Sequence, residues 1–266
     1  MERKRGRAII VAEVATRARA CARACAKPGM IQPVKFLACL LLAAASLAEA
    51  APFEDTMAQR TLACTTCHGA QGRAGPDGYY PRIAGKPAGY LYHQLLHFRD
   101  GRRHYGLMTR LLDPLSDDYL MEIAQHFAGL DLPYPPPSPV QAPPPVLDRG
   151  RVLALQGDPA RQLPSCAHCH GPQLTGVLPN TPGLLGLSRD YLNAQLGAWR
   201  SGQRRAHAPD CMAQVARALS TEDLNAVTAW LASRPLPPNP KAVARLPAPP
   251  TLACGSVTLP GVRTTP

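Results

Sequence analysis

Aromatic residues are scarce in this chain. Its 266 residues include 2 Trp, 4 Phe and 8 Tyr, or 5% of the total, whereas 45% of the residues are hydrophobic, which is ordinary for a globular protein. A chain of this length is long enough for two domains of ordinary size. Because so few aromatic side chains are present to fill two cores, we expect another apolar group to supply part of the buried volume.

Apart from one short stretch, the chain also lacks long hydrophobic runs. That stretch, residues 36–45, follows Lys35 and precedes the A-x-A cleavage pattern Ala48-Glu49-Ala50. A basic residue, a short apolar run and a small-residue cleavage site together predict a secretory signal peptide over residues 1–50. The run is too short to span a bilayer comfortably, and a retained membrane anchor is the alternative interpretation.

A strong positive charge is missing from the part of the chain that we expect to be secreted. The whole chain carries a net charge of +11, but residues 1–50 hold 9 of the 29 basic and 3 of the 18 acidic residues, which leaves a net charge of +5. Nucleic acid is therefore not an expected partner, whereas steering toward an acidic redox partner is compatible with this charge. The basic extension before Met30 is unusual for a signal peptide. We therefore expect the protein to start at Met30, with residues 1–29 as an overhang before the true start.

The chain contains two copies of the string Cys-x-x-Cys-His, 102 residues apart. The copies are Cys64-Thr65-Thr66-Cys67-His68 and Cys166-Ala167-His168-Cys169-His170. Two thiols at this spacing can each add to a vinyl group of a haem, and the following imidazole can bind the iron. A surface dithiol or half of a zinc site is the alternative for one copy alone. Two copies predict two covalently bound haem c groups, which would also supply the missing apolar volume.

Further matches extend the repeat beyond the two strings. Residues 90–101 match residues 191–202, with Tyr, Leu, Gln, Leu, Arg and Gly identical at equivalent positions. Apolar residues at helical spacing in the first of these segments predict an amphipathic helix that ends at a glycine. Ser116 and Ser220 each precede acidic residues, which is typical of the N-cap and first turn of a helix. The sequence therefore predicts two all-α units of the same design.

Proline-rich segments separate and follow these two units. The segment between them is predicted to be an extended, semi-rigid linker that spaces the two halves rather than folding with them. The segment after the second unit lacks apolar periodicity, and we expect it to lie irregularly over the surface. The predicted boundaries are a signal peptide (1–50), a first repeat (51–132), a linker (133–147), a second repeat (148–234) and a tail (235–266).

The sixth ligand of each haem iron decides between electron transfer and catalysis. Met212 is the only methionine of the second repeat, and Met108 stands at the matching position, eight residues before the capping serine. We therefore predict His68 with Met108, and His170 with Met212, as the two iron ligand pairs. A thioether ligand favours the reduced iron, and a filled sixth position leaves no place for a substrate. His104 and His207 are the competing ligands.

Other polar residues recur near the predicted haems. The carbonyls of Pro81 and Pro182 are placed to accept the second N–H of the proximal imidazoles. Four arginines are expected to pair with haem propionates or to form a solvated face: Arg99, Arg103, Arg200 and Arg204. Four residues are expected at the haem or at the interface between the repeats, or in ordinary packing: Tyr90, Gln94, Tyr191 and Gln195. Four histidines are expected at the surface or on the propionate side: His93, His97, His126 and His168.

Cys211 and Cys254 are the cysteines that remain once the haem motifs and the predicted signal peptide are set aside. In an oxidising compartment two such thiols can form a disulfide. Two independent thiols are the alternative.

These motifs resemble the dihaem cytochrome c4 family. The resemblance rests on the two Cys-x-x-Cys-His-Gly strings, the Pro-x-x-x-Gly segments, Tyr-Leu-x-x-Gln-Leu with Arg-x-Gly, and the methionine before the last helix. It covers roughly residues 56–233. It implies two tandem cytochrome c-like helical domains with facing haems, a periplasmic location, and electron delivery from a quinol-oxidising complex toward a terminal oxidase or another acceptor.

Three functions are compatible with this resemblance. The first is a periplasmic carrier of single electrons, without enzymatic activity, with redox proteins as partners and peripheral membrane association as an option. The second is the cytochrome subunit of a periplasmic dehydrogenase complex. The third is a dihaem redox enzyme such as a peroxidase or a thiosulfate-oxidising cytochrome, which needs an open or displaceable sixth ligand.

Overall fold

The computed structural model describes residues 54–75, 77–137 and 139–258, and the predicted signal peptide lies outside this range. From Asp55 onwards the chain forms one compact unit. Half of the described residues are helical and 4% are in strands, so the predicted all-α class is confirmed. Among the described residues, no helix combines the length and the apolar character that crossing a membrane requires.

The described residues of the first repeat form five α-helices. Their bounds are Met57–Arg60 (α1), Leu62–His68 (α2), Ala88–Arg99 (α3), Gly106–Leu112 (α4) and Asp117–Ala128 (α5). Helix α5 begins where predicted, because the Ser116 side chain accepts a hydrogen bond from the Tyr119 N–H and satisfies one of the free donors of the first turn. Leu120, Ile123 and Phe127 of α5 are buried in the core of this repeat.

The second repeat has five helices and a two-stranded hairpin. The helices are Pro144–Leu155 (α6), Cys166–His170 (α7), Arg189–Ser201 (α8), Cys211–Ala218 (α9) and Thr221–Ala232 (α10), and the strands are Gly176–Val177 (β1) and Thr181–Pro182 (β2). The hairpin is antiparallel and pairs Gly176 with Pro182 and Val177 with Thr181. Ser220 caps α10 through the Asp223 N–H, as predicted. Helix α10 is almost fully buried and packs against α6.

The linker differs from its prediction at both ends. Helix α6 begins at Pro144, four residues before the predicted start of the second repeat, because proline is well tolerated in the first turn of a helix. At the other end, the carbonyl of Pro133 accepts a hydrogen bond from Arg82, whose guanidinium lies 3.8 Å from the Tyr134 ring centroid. The prediction of a spacer that does not fold with the repeats was therefore wrong.

The tail is irregular up to Ala253, as predicted, but it is fixed to the second repeat. Val243 exchanges backbone hydrogen bonds with the hairpin, at Gly176 and Leu178. A disulfide joins Cys254 to Cys211 at the start of α9, and a short helix, Gly255–Thr258 (α11), follows. Of the two alternatives for these cysteines, the structure forms the disulfide.

Candidate haem sites in one shared cavity

Each Cys-x-x-Cys-His string forms a short helix that ends at its histidine. Cys64 and Cys67 lie on α2, Cys166 and Cys169 lie on α7, and none of the four is in a disulfide. The glycine that follows each string has a positive φ, 75° at Gly69 and 87° at Gly171. A Cβ at Gly69 would meet the Ala74 carbonyl, so only glycine permits this turn directly after the motif.

The two motif histidines are oriented by proline carbonyls, as the sequence predicted. His68 Nδ1 donates to the Pro81 carbonyl and His170 Nδ1 donates to the Pro182 carbonyl, both at 2.8 Å. This bond fixes the tautomer and leaves Nε2 free to bind a metal. Burial lowers the pKa of both imidazoles, and the proline carbonyls act in the opposite direction. Both side chains are therefore held in the neutral form that binds iron.

Both histidines face one apolar cavity that extends across the two repeats. It encloses about 1070 Å³, above the range of roughly 300–1000 Å³ that is usual for small-molecule sites. Met108 of α4 and Met212 of α9 both line it. Seven of the eight predicted site residues line this cavity: Cys64, His68, Met108, Cys166, Cys169, His170 and Met212. Cys67 lies on α2, between Cys64 and His68, but is exposed and does not line the cavity.

Four buried cations of the cavity wall fit the two acidic propionates that each haem carries. Arg82, Lys86, Arg103 and Arg204 are each exposed by 9% or less. No salt bridge joins any of them to a carboxylate within the described part of the chain. Buried charges are stable only when they are paired or strongly hydrogen-bonded. An apolar cavity with unpaired cations suits a large apolar ligand with negative groups, so the residues present fit haem.

Arg103 and Arg204 also join the two repeats. Arg103 donates to Gln94 at 3.1 Å, to Tyr191 at 3.0 Å and to Gln195 at 2.6 Å. Arg204 donates to Gln195 and to Gln94, both at 2.8 Å. Each arginine therefore binds the glutamine of its own repeat and the glutamine of the other. The recurring Gln and Tyr residues lie at the interface between the repeats, which was one of the predicted alternatives.

The other two arginines of the predicted set lie outside this network. Arg99 forms ion pairs with Asp100 and Asp117. Arg200 donates to the Thr221 hydroxyl at the surface. Neither lines the cavity, so the structure does not favour propionate pairing for these two. Arg99 is partly buried rather than fully solvated.

The predicted surface position was wrong for two histidines. His93 and His97 are 4% and 2% exposed and pack against His207, whose ring centroid is 4.9 Å from that of His97. Burial lowers the pKa of His93 to about 4 and that of His97 to about 3. His207 does not line the cavity, whereas His104 does. The geometry therefore favours Met212 over His207 in the second repeat.

Sequence reasoning missed the part of the tail that closes the second site. Residues 246–250, Leu252, Cys254, Ser256 and Val257 all line the cavity. The Thr251 N–H donates to His168 Nε2 inside the second motif, and the Gly255 N–H donates to the Pro209 carbonyl. The disulfide then fastens this segment beside Met212. The only signal in the sequence was the pair of remaining cysteines.

Comparisons with known proteins show which proteins this chain is similar to. The cytochrome c family profile matches residues 150–235. The thiosulfate dehydrogenase electron acceptor of Thiomonas intermedia (strain K12) is 38% identical over 185 residues, which cover 68% of this chain and 83% of that protein. Cytochrome c4 of Pseudomonas aeruginosa is 32% identical over 194 residues, which cover 72% of this chain and 94% of that protein.

The chain belongs to the dihaem cytochrome c4 family. The reduced cytochrome c4 of Pseudomonas stutzeri has a similar structure, with a TM-score of 0.56 and 30% identity over 66% of this chain and 96% of that one. Thiosulfate dehydrogenase (TsdBA) from Marichromatium purpuratum gives a TM-score of 0.57 at 34% identity, over 65% of this chain. This cytochrome spans about a third, 36%, of that longer chain.

Family membership confirms the main functional predictions. The protein is a cytochrome c4-like dihaem electron carrier. Its haem c is bound covalently at the two strings that contain Cys64 with Cys67 and Cys166 with Cys169. Its partners are redox proteins.

Proposed function

We propose that this protein is a periplasmic electron acceptor that takes single electrons from a dehydrogenase, through two His/Met-ligated haems, without catalysing a reaction itself. The observation that carries the proposal is the matched pair of methionines in one cavity. Met108 and Met212 both line the cavity that His68 and His170 enter. Two thioether ligands would fill the sixth position of both irons, which favours electron transfer over substrate binding.

A second candidate, a dihaem redox enzyme, needs an exchangeable ligand at one iron. His104 in the cavity wall is the residue that would replace a methionine in that case. Carbon monoxide separates the two candidates, because it binds reduced haem iron only where the sixth position is open or easily displaced. The carrier function is supported if the reduced wild type binds no carbon monoxide. Stoichiometric binding at either haem would contradict it.

Substitution of the methionines assigns the ligands. We expect Met108→Ala and Met212→Ala each to open one carbon monoxide site and to lower the reduction potential of that haem. Met121→Ala is the matched control, because Met121 lies on α5 and does not line the cavity. A variant of Met212 that keeps the low-spin spectrum and the potential of the wild type would show that another residue is the ligand.

We propose a thiosulfate dehydrogenase as the electron donor. The proposal is supported by 38% and 37% identity to two proteins named thiosulfate dehydrogenase electron acceptor. Reduction is measured by stopped-flow absorbance after the oxidised cytochrome is mixed with thiosulfate, with and without a purified thiosulfate dehydrogenase. We expect fast reduction only when the dehydrogenase is present. Reduction by thiosulfate alone would indicate catalysis by this chain, and a faster response to a quinol-oxidising complex would favour that donor.

The periplasm is the proposed location. The pattern over residues 1–50 predicts export, and the Cys211–Cys254 disulfide suits an oxidising compartment. Cell fractionation followed by mass measurement tests this. We expect a periplasmic chain that begins at Ala51 and carries two haems, and a membrane-bound chain that retains residues 36–45 would contradict it.

A further inference from the structure

Lys86 carries a positive charge from the first repeat into the second haem site. Its side chain is 5% exposed and lines the shared cavity. Nζ donates a hydrogen bond at 3.2 Å to the carbonyl of Gly183 in the second repeat. Gly183 directly follows Pro182, whose carbonyl accepts the hydrogen bond of His170. The ammonium group is therefore anchored to the same short segment that orients the proximal histidine of the second haem.

No carboxylate balances this charge in the described part of the chain, since Lys86 takes part in none of its salt bridges. The neighbouring charge is Arg82, also positive, and the Tyr134 ring centroid lies 6.0 Å away. Burial lowers the pKa of Lys86 to about 8, so the side chain is mainly protonated at pH 7. A charge in such a site is poorly screened by solvent and salt.

The two repeats are not equivalent at this position. At the offset of 101 residues that aligns Pro81 with Pro182, Lys86 corresponds to Leu187. The hydrogen bond from Lys86 to Gly183 places this charge one residue from Pro182, which orients His170. Leu187 carries no charge that could act in the same way on the segment that orients His68. The charge therefore distinguishes the second site from the first.

We propose that Lys86 is a positioning residue through which the first repeat raises the reduction potential of the second haem. Reduction adds one electron to the iron and lowers the charge of the centre by one, so a nearby fixed positive charge stabilises the reduced form. The hydrogen bond to Gly183 holds the charge at a fixed place beside His170. This inference rests on the proposed ligation of the second iron by His170.

The test compares Lys86→Gln, Lys86→Arg and Lys241→Gln in the full, haem-loaded protein. Lys86→Gln removes the charge but keeps a hydrogen-bond donor, whereas Lys86→Arg keeps the charge. Lys241 is the control for net charge, because it is 67% exposed and pairs with Asp131. The potentials are measured by redox titration followed by NMR, which observes the haem methyl signals of each centre separately.

We expect Lys86→Gln to shift the potential of the second haem downward, severalfold more than that of the first haem, at both low and high salt. Lys86→Arg and Lys241→Gln should stay close to wild type. The inference would be overturned by equal shifts in potential at both haems, or by no shift while the spectrum is unchanged. It would also be overturned if Lys86→Arg lowered the potential of the second haem as much as Lys86→Gln. If Lys86→Gln does not load haem, Lys86→Met, which keeps the apolar stem, is measured in its place. A wild-type spectrum that lacks the signature of histidine ligation at the second haem would count against His170 ligation instead.

Discussion

The crossing of α6 and α10 depends on the absence of a side chain at Gly150. A Cβ at this position would clash with the Ala226 carbonyl oxygen and lie 2.7 Å from the Trp230 Cβ, whereas ordinary contacts begin at 3.4 Å. The clashing atom belongs to the backbone of a buried helix and cannot rotate away. Gly150→Ala would therefore push the two helices apart by about 1 Å.

Two opposing effects set the size of the change. Overpacking of a well-packed core costs about 1–3 kcal/mol, whereas replacing glycine by alanine inside a helix gains about 1 kcal/mol. Because the clash is with backbone, we take the upper end of the cost and expect a net loss of about 2 kcal/mol in the free energy of unfolding. For a chain of this size the loss corresponds to a fall of about 4–8 °C in Tm.

Gly197→Ala is the matched control. Gly197 lies inside α8, and a Cβ there would meet nothing within 4 Å. The same substitution should therefore stabilise the protein by about 0.5–1 kcal/mol. Thermal and guanidinium unfolding of the haem-loaded protein, followed by far-UV circular dichroism, measures both variants. The two substitutions should change the free energy of unfolding in opposite directions.

Gly150→Ala should also affect the second haem site, because Val227 and Leu231 of α10 line the haem cavity. A displaced α10 should loosen the second site and leave the spectrum of the first haem unchanged. The reasoning is refuted if Gly150→Ala is as stable as the wild type, or if it stabilises the protein as Gly197→Ala does.

Two further predictions concern the second repeat. Asp223 accepts from Arg149 at 2.7 Å and from Arg161 at 2.6 Å, and Arg149 first, then Arg161, holds its pKa below the usual range. Asp223→Asn should cost about 2 kcal/mol at pH 7. A lowered pKa means that this stability is present above about pH 4 and is lost as the pH falls further, so thermal unfolding at pH 7 and pH 3 should show the difference shrink. Asp148→Asn, at an exposed pair with Arg151, is the control and should change little. The double substitution of Cys211 and Cys254 by serine should cost up to about 4 kcal/mol, because their sequence separation is 43 residues. The spectroscopic signature of the second haem's sixth ligand should weaken first, and an unfolding midpoint equal to that of the wild type would contradict this role of the disulfide.

The local features of the fold were predictable from the sequence. Ser116 and Ser220 cap their helices as expected, and Pro81 and Pro182 accept the histidine hydrogen bonds. These contacts join residues that are close in sequence or fixed by the repeat spacing. The same local chemistry places Cys64 to His68, and its second copy, on short helices. Assignment of Met108 and Met212 as ligands remains a prediction.

The errors arose where a segment's environment comes from distant parts of the chain. The linker and the tail have the composition of exposed, irregular segments, yet Tyr134 packs under Arg82 and Val243 pairs with the hairpin. His93 and His97 lie on α3, whose apolar face is buried as predicted. Both rings pack against His207, more than a hundred residues later in the chain, and no local pattern reveals this contact.

The sequence by itself determined the chemistry of this protein. Covalent attachment needs two thiols and an imidazole at fixed spacing, and the repeat supplies that constellation twice. Only the tertiary structure decided the environment of each site. It buries Arg103 and Arg204 between the repeats, brings Lys86 of the first repeat to the second site, and closes that site with the tail. The physical reason is that electrostatic interaction depends on distance and burial, and both are set by how the two repeats pack.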